Sequence, residues 1–326
     1  MNMNDELPIK NIFKAYDIRG IVGSELTSPT VKKIGQAIGT MALSQMQKTI
    51  CVGYDGRLSS PSLSTTLIDG LLSTGINVID IGLCTTPMLY FSNFYQETGT
   101  GVMITGSHNP PEYNGFKMVI KGKTLTSDDI QNLYQIILDS NYLNGEGDKK
   151  SLSIKSQYLH EISNSIELKR PMKVAIDCGN GAAGVCAEEL FKKLGVETEP
   201  LFCDVDGNFP NHHPDPSNPK NLLDLKNKLK NGDSELGLAF DGDADRLGVV
   251  TKDGEIIFPD RQLLLFSEAV LKECPKSSII FDVKSTRHLF SWIKEKGGIP
   301  VIWKTGHSFI KQKMKELNAS LAGEMS

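Results

Sequence analysis

The sequence predicts an α/β protein made of successive layered units, and three observations carry that prediction. Short apolar runs that read as buried strands alternate with stretches whose apolar residues recur at helical spacing. Segments rich in Gly, Pro and polar residues separate the runs and fit neither helix nor strand. The chain's 326 residues, 39% hydrophobic and 23% charged, have ordinary globular composition and suffice for two or three domains of roughly 100–150 residues each.

Taken in order, residues 30–46 show helical spacing through Val31, Ile34, Ala37, Ile38, Met41 and Ala42. Ile50 to Tyr54 is a short strand ending in Asp55-Gly56-Arg57. Ser60-Pro61 starts a helix, with Ser as the cap and Pro at the first helical position, and Leu63, Leu67, Ile68, Leu71 and Leu72 form its apolar face. Ile76 to Ile81 reads as a strand, Pro87 to Gln96 as a helix and Gly101 to Thr105 as a strand. Ser127 to Leu138 is an amphipathic helix, and Asn144 to Lys150 an exposed loop near a boundary. A helix from Tyr158 to Leu168 leads to a second unit, which opens with strand Lys173 to Asp177 and a helix through Leu194. Leu236 to Phe240 is a further strand. The pattern restarts after Gly254 with strand Ser278 to Val283, helix Thr286 to Lys296, strand Ile299 to Trp303, helix Phe309 to Leu317 and the start of a strand at Ala319.

The net charge of −4 gives a nucleic-acid partner no overall electrostatic support. Six scattered cysteines without a Cys-x-x-Cys pair argue against a disulfide framework and for a reducing cytoplasm. The polar first ten residues do not read as a signal peptide, and no apolar run approaches the ~20 residues of a membrane span, so the expected location is cytoplasmic.

Several motifs carry candidate chemistry. Thr105-Gly106-Ser107-His108-Asn109-Pro110-Pro111, continuing to Lys117, follows the apolar run Val102 to Ile104. It reads either as a Pro-rich surface turn or as a rigid loop presenting a hydroxyl beside an imidazole and a cation. Arg19, between Asp17 and Gly20, suits a structural ion pair or a bidentate phosphate clamp. Gly179, Gly181 and Gly184 match Gly-x-Gly-x-x-Gly after a strand, with Glu197 or Glu199 about 20 positions on. This is a dinucleotide fingerprint or a Gly-rich packing turn. His212-His213 cannot share one helical face and reads as structural.

Asp241, Asp243 and Asp245 stand at i, i+2 and i+4 directly after a strand, a grouping that is costly without a cation. A calcium loop fails, because Arg246 and Lys252 hold the places of its Gly and final acid. Oxygen ligation by carboxylates suits Mg²⁺, with Arg246 as a phosphate partner; the other reading is a solvated acidic turn. Together, the serine loop, Asp triad, Arg loop and Thr305-Gly306-His307-Ser308 describe phosphoryl transfer through a phosphoserine.

On Ala15-Tyr16-Asp17-Ile18-Arg19-Gly20, the serine loop, Asp241 to Arg246, Thr305 to Ser308 and Gly323-Glu324-Met325-Ser326, the chain resembles the α-D-phosphohexomutases, specifically their bacterial phosphomannomutase/phosphoglucomutase members. The resemblance implies successive βαβ-type domains with mixed sheets sandwiched by helices: residues 1–153 with the phosphoserine loop, 154–255 with the metal loop, and 256–326 facing the sugar. It implies phosphorylation at Ser107, and Mg²⁺ held by Asp241, Asp243, Asp245 and the Ser107 phosphate. Arg19, His108, Lys117 and Arg246 would surround the phosphoserine. Tyr16, Lys284, Gly306, His307, Ser308, Glu324 and Ser326 would contact the sugar phosphate. The implied reaction interconverts hexose 1-phosphate and hexose 6-phosphate through hexose 1,6-bisphosphate, with glucose and mannose both open as substrates.

The last residues fall inside an unfinished α/β unit. The expectation is therefore a chain truncated in its third domain and lacking the family's fourth, phosphate-gripping domain. Its turnover would be impaired, and its cut edge prone to association where the full-length protein is a monomer. The alternative is a catalytically silent phosphosugar- or metal-binding fragment.

Overall fold

The computed structural model describes residues 7–325, which fold into three sheets that follow one another along the chain. The first unit comprises β1 (Ile18–Ile21), α1 (Ser28–Ser44), β2 (Thr49–Tyr54), α2 (Ser60–Leu72), β3 (Asn77–Leu83), α3 (Thr86–Tyr95), β4 (Gly101–Ile104), β5 (Tyr113–Ile120), β6 (Lys123–Thr124), α4 (Ser127–Leu138) and β7 (Lys149–Ser151). Its sheet order is β1-β5-β4-β2-β3-β7, with β6 on β5. β2 runs parallel to β3 and β4, and β5 runs antiparallel to β1 and β4.

Local chemistry accounts for these elements. Thr27 and Thr85 cap α1 and α3, each side chain accepting a bond from a first-turn amide, and Pro follows each cap. The apolar stripe of α1 meets that of α2 over a core containing Ile34, Ile38, Leu67 and Leu71, all fully buried. Full burial of such side chains contributes roughly 1.5–3 kcal/mol each. Gly35 and Gly70 make the close crossing possible, since a Cβ on either would strike the other helix's backbone.

The second unit has α5 (Lys155–Ser165), β8 (Met172–Asp177), α6 (Ala187–Lys193), β9 (Val196–Leu201), α7 (Leu223–Asn231), β10 (Leu236–Phe240), β11 (Leu247–Thr251) and β12 (Ile256–Ile257), in sheet order β12-β11-β10-β8-β9. The third has α8 (Pro259–Glu273), β13 (Ser278–Asp282), α9 (His288–Glu295), β14 (Ile299–Trp303), α10 (His307–Leu317) and β15 (Leu321–Gly323). Its strands run parallel in the order β14-β13-β15.

One device recurs in all three units: a buried aspartate at or just past the end of a central parallel strand, bonded to the loops that follow. Asp55, after β2, accepts from the amides of Arg57 and Gly106. Asp177, ending β8, accepts from the Gly179 amide and pairs with His212. Asp282, ending β13, accepts from Ser285, Thr305 and the Met325 amide.

Four expectations need correction. Ser60 is not the cap of α2 but its first residue, and its Oγ donates to Asp55 Oδ1 at 2.6 Å. The serine loop stops at Glu112, because Tyr113–Ile120 pairs with strands on both sides, which places Lys117 on β5. Lys149 and Lys150, expected in a loop, pair with β3. His307 and Ser308 are the first residues of α10, not part of the preceding loop. All six cysteines are free thiols, and no helix among the described residues is long and apolar enough to cross a membrane.

Candidate active site

Parallel pairing of β2 with β4 sets their ends side by side, so Arg57 lies beneath the loop that follows β4. Its guanidinium, only 1% exposed, donates to four carbonyls of that loop and its exit: Ser107 (2.8 Å), Asn109 (2.6 Å), Pro110 (2.7 Å) and Tyr113 (3.0 Å). Its Nε lies 3.3 Å from Asp55 Oδ2. Gly106 is required here, because a Cβ would collide with the guanidinium. His213 Nε2 holds the His108 carbonyl from the far side, while His212 bonds Asp177 at 3.0 Å. The paired histidines are structural, as their spacing predicts, and one of them braces this loop.

Held in this way, Ser107 adopts φ +49°, a left-handed conformation that a serine takes only when its surroundings impose it. Its Oγ donates to Asp241 Oδ2 at 2.8 Å and lies 3.2 Å from His108 Nδ1. With the hydroxyl hydrogen given to Asp241, the imidazole nitrogen is the donor to Oγ. Burial, and then Arg246, push the His108 pKa down to about 4, so the ring is neutral near pH 7.

The Asp loop follows β10, and its sharp turn places Ala244 at φ +59°. Asp241 Oδ1 accepts from the amides of Asp245 and Arg246, folding the loop back on itself. Thr86, at the start of α3, donates to Asp243 Oδ2 at 2.5 Å. Lys117 crosses from β5 to Asp243 and Asp245, at 2.6 Å each. Burial alone would lower the Lys117 pKa, but these two carboxylates hold it above the ordinary lysine value. Lys117 therefore lies against the triad, because carboxylates gathered out of water draw in the nearest cation.

The triad fits a hard cation. Ligand oxygens of Asp241, Asp243 and Asp245 lie within 4.8 Å of one another, and Asp243 Oδ1 is buried without a hydrogen-bond partner. One lysine faces three carboxylates, and burial followed by the charges of Asp243 and Asp245 drives the Asp241 pKa well up, which a cation would relieve.

The remaining residues gather from the third unit. Tyr16 meets His307 edge-on at 5.1 Å and Phe309 at 6.3 Å, joining the first unit to α10. Gly306 precedes α10 at φ +131°, and its amide donates to Glu324 Oε1 at 2.5 Å. Burial raises the Glu324 pKa. His307 Nε2 and Ser308 Oγ are buried without partners. Burial, and then Lys311, lower the His307 pKa to about 3. Arg19 pairs with Asp17 at 2.7 Å, so the structural ion pair considered from sequence is present. Lys284 is exposed and makes no ion pair or hydrogen bond among the described residues, so it is not drawn into this group. Ser326 lies outside the described residues.

The Gly179–Gly184 segment is a packing turn. The Ala182 amide donates to the Gly242 carbonyl at 2.9 Å, and a Cβ at Gly181 or Gly184 would press on Gly242 or Cys203. The amides a pyrophosphate would need are already bonded within the fold, Gly179 to Asp177, Asn180 to Phe202, Gly181 to Cys178 and Gly184 to Gly181, which removes the dinucleotide reading. Sequence reasoning missed Arg57, Thr86 and Asp282 as parts of the site. Their signal was position, at a strand end or a helix start, with no motif to mark them.

Family models for the phosphoglucomutase/phosphomannomutase α/β/α domains I, II and III match residues 10–143, 156–254 and 258–326. The chain is 56% identical over 319 residues to a phosphoglucomutase of Neisseria meningitidis serogroup A, covering 97% of this chain and 69% of that one. It is 52% identical over 316 residues to a phosphomannomutase/phosphoglucomutase of Pseudomonas aeruginosa, covering 97% and 68%. The crystal structure of a phosphoglucomutase/phosphomannomutase family protein from Burkholderia thailandensis superposes with a TM-score of 0.95 at 50% identity, covering 98% of this chain and 71% of the other. The chain belongs to the phosphoglucomutase/phosphomannomutase family, enzymes that interconvert hexose phosphates.

Proposed function

We propose that Ser107 Oγ carries the phosphoryl group in a reversible interconversion of hexose 1-phosphate and hexose 6-phosphate, of glucose or mannose, through hexose 1,6-bisphosphate. The observation that carries this reading is the placement of Ser107: left-handed, clamped through Arg57, and 2.8 Å from an aspartate of the triad. On this reading residues 1–153 supply the serine loop, 154–255 the metal loop and 256–326 the sugar-facing groups.

The chemistry follows from the charges and protons available. As a sugar hydroxyl oxygen bonds to phosphorus, the bond from phosphorus to Ser107 Oγ breaks. The hydroxyl proton passes to a neutral imidazole, for which His307 Nε2 is buried, unpartnered and held neutral. Ser107 Oγ leaves accepting a hydrogen bond from the neutral His108 Nδ1–H, 3.2 Å away, and takes up one proton from solvent, which balances the proton accepted by His307. The reverse step, run from the other end of the bisphosphate, restores phosphoserine. Asp241, Asp243 and Asp245 would hold a Mg²⁺ ion, which supplies neutralising charge for the phosphoryl oxygens. Arg19, Lys117 and Arg246 add positive charge around the same oxygens, where a loose transition state spreads its charge. Tyr16, Gly306, Ser308 and Glu324 orient the sugar, with Lys284 and Ser326 assigned there by family resemblance.

Conversion of mannose 1-phosphate to mannose 6-phosphate tests this reading. Ser107→Ala is expected to remove activity by at least about 10³-fold. Activity retained in that variant would overturn the covalent route, and a chain that binds hexose phosphate without turning it over would favour the silent fragment.

A further inference from the structure

Lys311 is a cation that neither the family motifs nor the ion pairs of the fold account for. It lies one turn after His307 on α10, at the i, i+4 spacing that puts both side chains on one helix face. That face looks toward the first unit, where Tyr16 meets His307. Lys311 is half-buried, and its Nζ stands 4.0 Å from the centroid of the Tyr90 ring on α3. Among the described residues it has no carboxylate partner and no hydrogen bond. By contrast, Lys117 has Asp243 and Asp245 as oxygen acceptors, and Lys315 has the Gly122 carbonyl.

The charges that act on Lys311 after burial are those of Asp245 on the metal loop, Lys117 and Glu324. Among charges, Lys311 is also the foremost in keeping His307 neutral. An aromatic face satisfies an ammonium only in part, leaving N–H donors that burial makes costly to leave unmade. Two buried polar atoms nearby on the same helix, His307 Nε2 and Ser308 Oγ, are also unpartnered. Three groups within His307–Lys311 of α10 thus lack hydrogen-bond partners among the described residues, which points to a polar ligand with several oxygens.

We propose that the Lys311 ammonium is a further substrate-contacting group, donating a hydrogen bond to an oxygen of the bound hexose phosphate on the α10 side of the cleft. The inference rests on the hexose-phosphate reading above and deepens it. The Tyr90 ring is the guide that holds the long side chain toward the cleft, since a cation seated on an aromatic face has fewer orientations to lose on binding.

The test is calorimetric titration of glucose 6-phosphate into the wild-type chain and into Lys311→Met, Lys311→Gln and Lys311→Arg, with thermal melting of each. The expected result is at least about 10-fold weaker binding in the Met and Gln variants, binding within about 3-fold of wild type in the Arg variant, and melting temperatures little changed. Wild-type affinity in Lys311→Met with a lowered melting temperature would overturn the proposal and make Lys311 a tether between α10 and α3. Should the neutral variants fail to fold, amine-selective methylation of the wild-type chain decides the matter. Protection of Lys311 by glucose 6-phosphate supports the contact, and equal labelling with and without it refutes the contact. A wild-type chain that binds no glucose 6-phosphate would strike the functional reading itself, which separates that failure from the failure of Lys311 alone.

Discussion

At the serine end of the cleft nearly every polar group is spoken for, whereas at the α10 end several are left open. Arg57 alone satisfies four carbonyls, Ser107 Oγ is bonded to Asp241, and Lys117 neutralises two carboxylates. On α10, His307 Nε2 and Ser308 Oγ are buried without partners among the described residues. The difference teaches where the fold places its pre-organisation. On the proposed function, the reacting group and its counter-charges would be fixed in advance, while the groups on α10 would keep their hydrogen-bonding capacity for a ligand.

Substitution should expose that contrast most strongly at Arg57. Arg57→Met leaves Asp55 buried without its partner and four carbonyls without a donor, so it is expected to cost about 3–5 kcal/mol in denaturant unfolding. Glu324→Gln, at the other end, is expected to cost under about 1 kcal/mol while weakening hexose-phosphate binding, as calorimetry would register. Equal stability losses at the two sites would break the comparison.

Metal dependence sharpens it. Mg²⁺ at about a hundred times its dissociation constant is expected to stabilise the folded chain by about 2.7 kcal/mol, seen as a higher melting temperature. Asp243→Asn should abolish most of that gain. An unchanged gain in the variant would remove the triad as the cation site.

The smallest expected effect is a pH dependence at the α10 end. The His307 pKa lies near 3 when folded, well below the ordinary histidine value. Between that pKa and the ordinary one the unfolded chain binds more protons, so stability falls as the pH drops through this window. From about pH 7 to about pH 5, His307 contributes a loss on the order of 1 kcal/mol, which His307→Gln should remove from the pH profile of unfolding.

Much of this arrangement is legible in the sequence. The helices around Ile34, Ile38, Leu67 and Leu71, and the amphipathic Ser127–Leu138, follow from apolar periodicity. The Asp triad stands out because three acids directly after a strand imply a cation. β5 was hidden because Tyr113–Ile120 is buried on both faces and carries Asn114, Gly115 and Lys117, so no alternation marks it. Arg57 was hidden for a different reason. Its partners are backbone carbonyls some 50 residues away in sequence, brought near by β2–β4 pairing. Contacts of that kind depend on topology and leave no local pattern.

The central claim is that Ser107 holds the phosphoryl group. Intact-mass measurement of the chain after incubation with glucose 1,6-bisphosphate tests it directly, with Ser107→Ala treated alongside. The account predicts the added mass of one phosphoryl group in the wild type, localised to the Ser107 peptide, and none in the variant. The same gain in Ser107→Ala, or none in a wild-type chain that still turns over hexose phosphate, would contradict it.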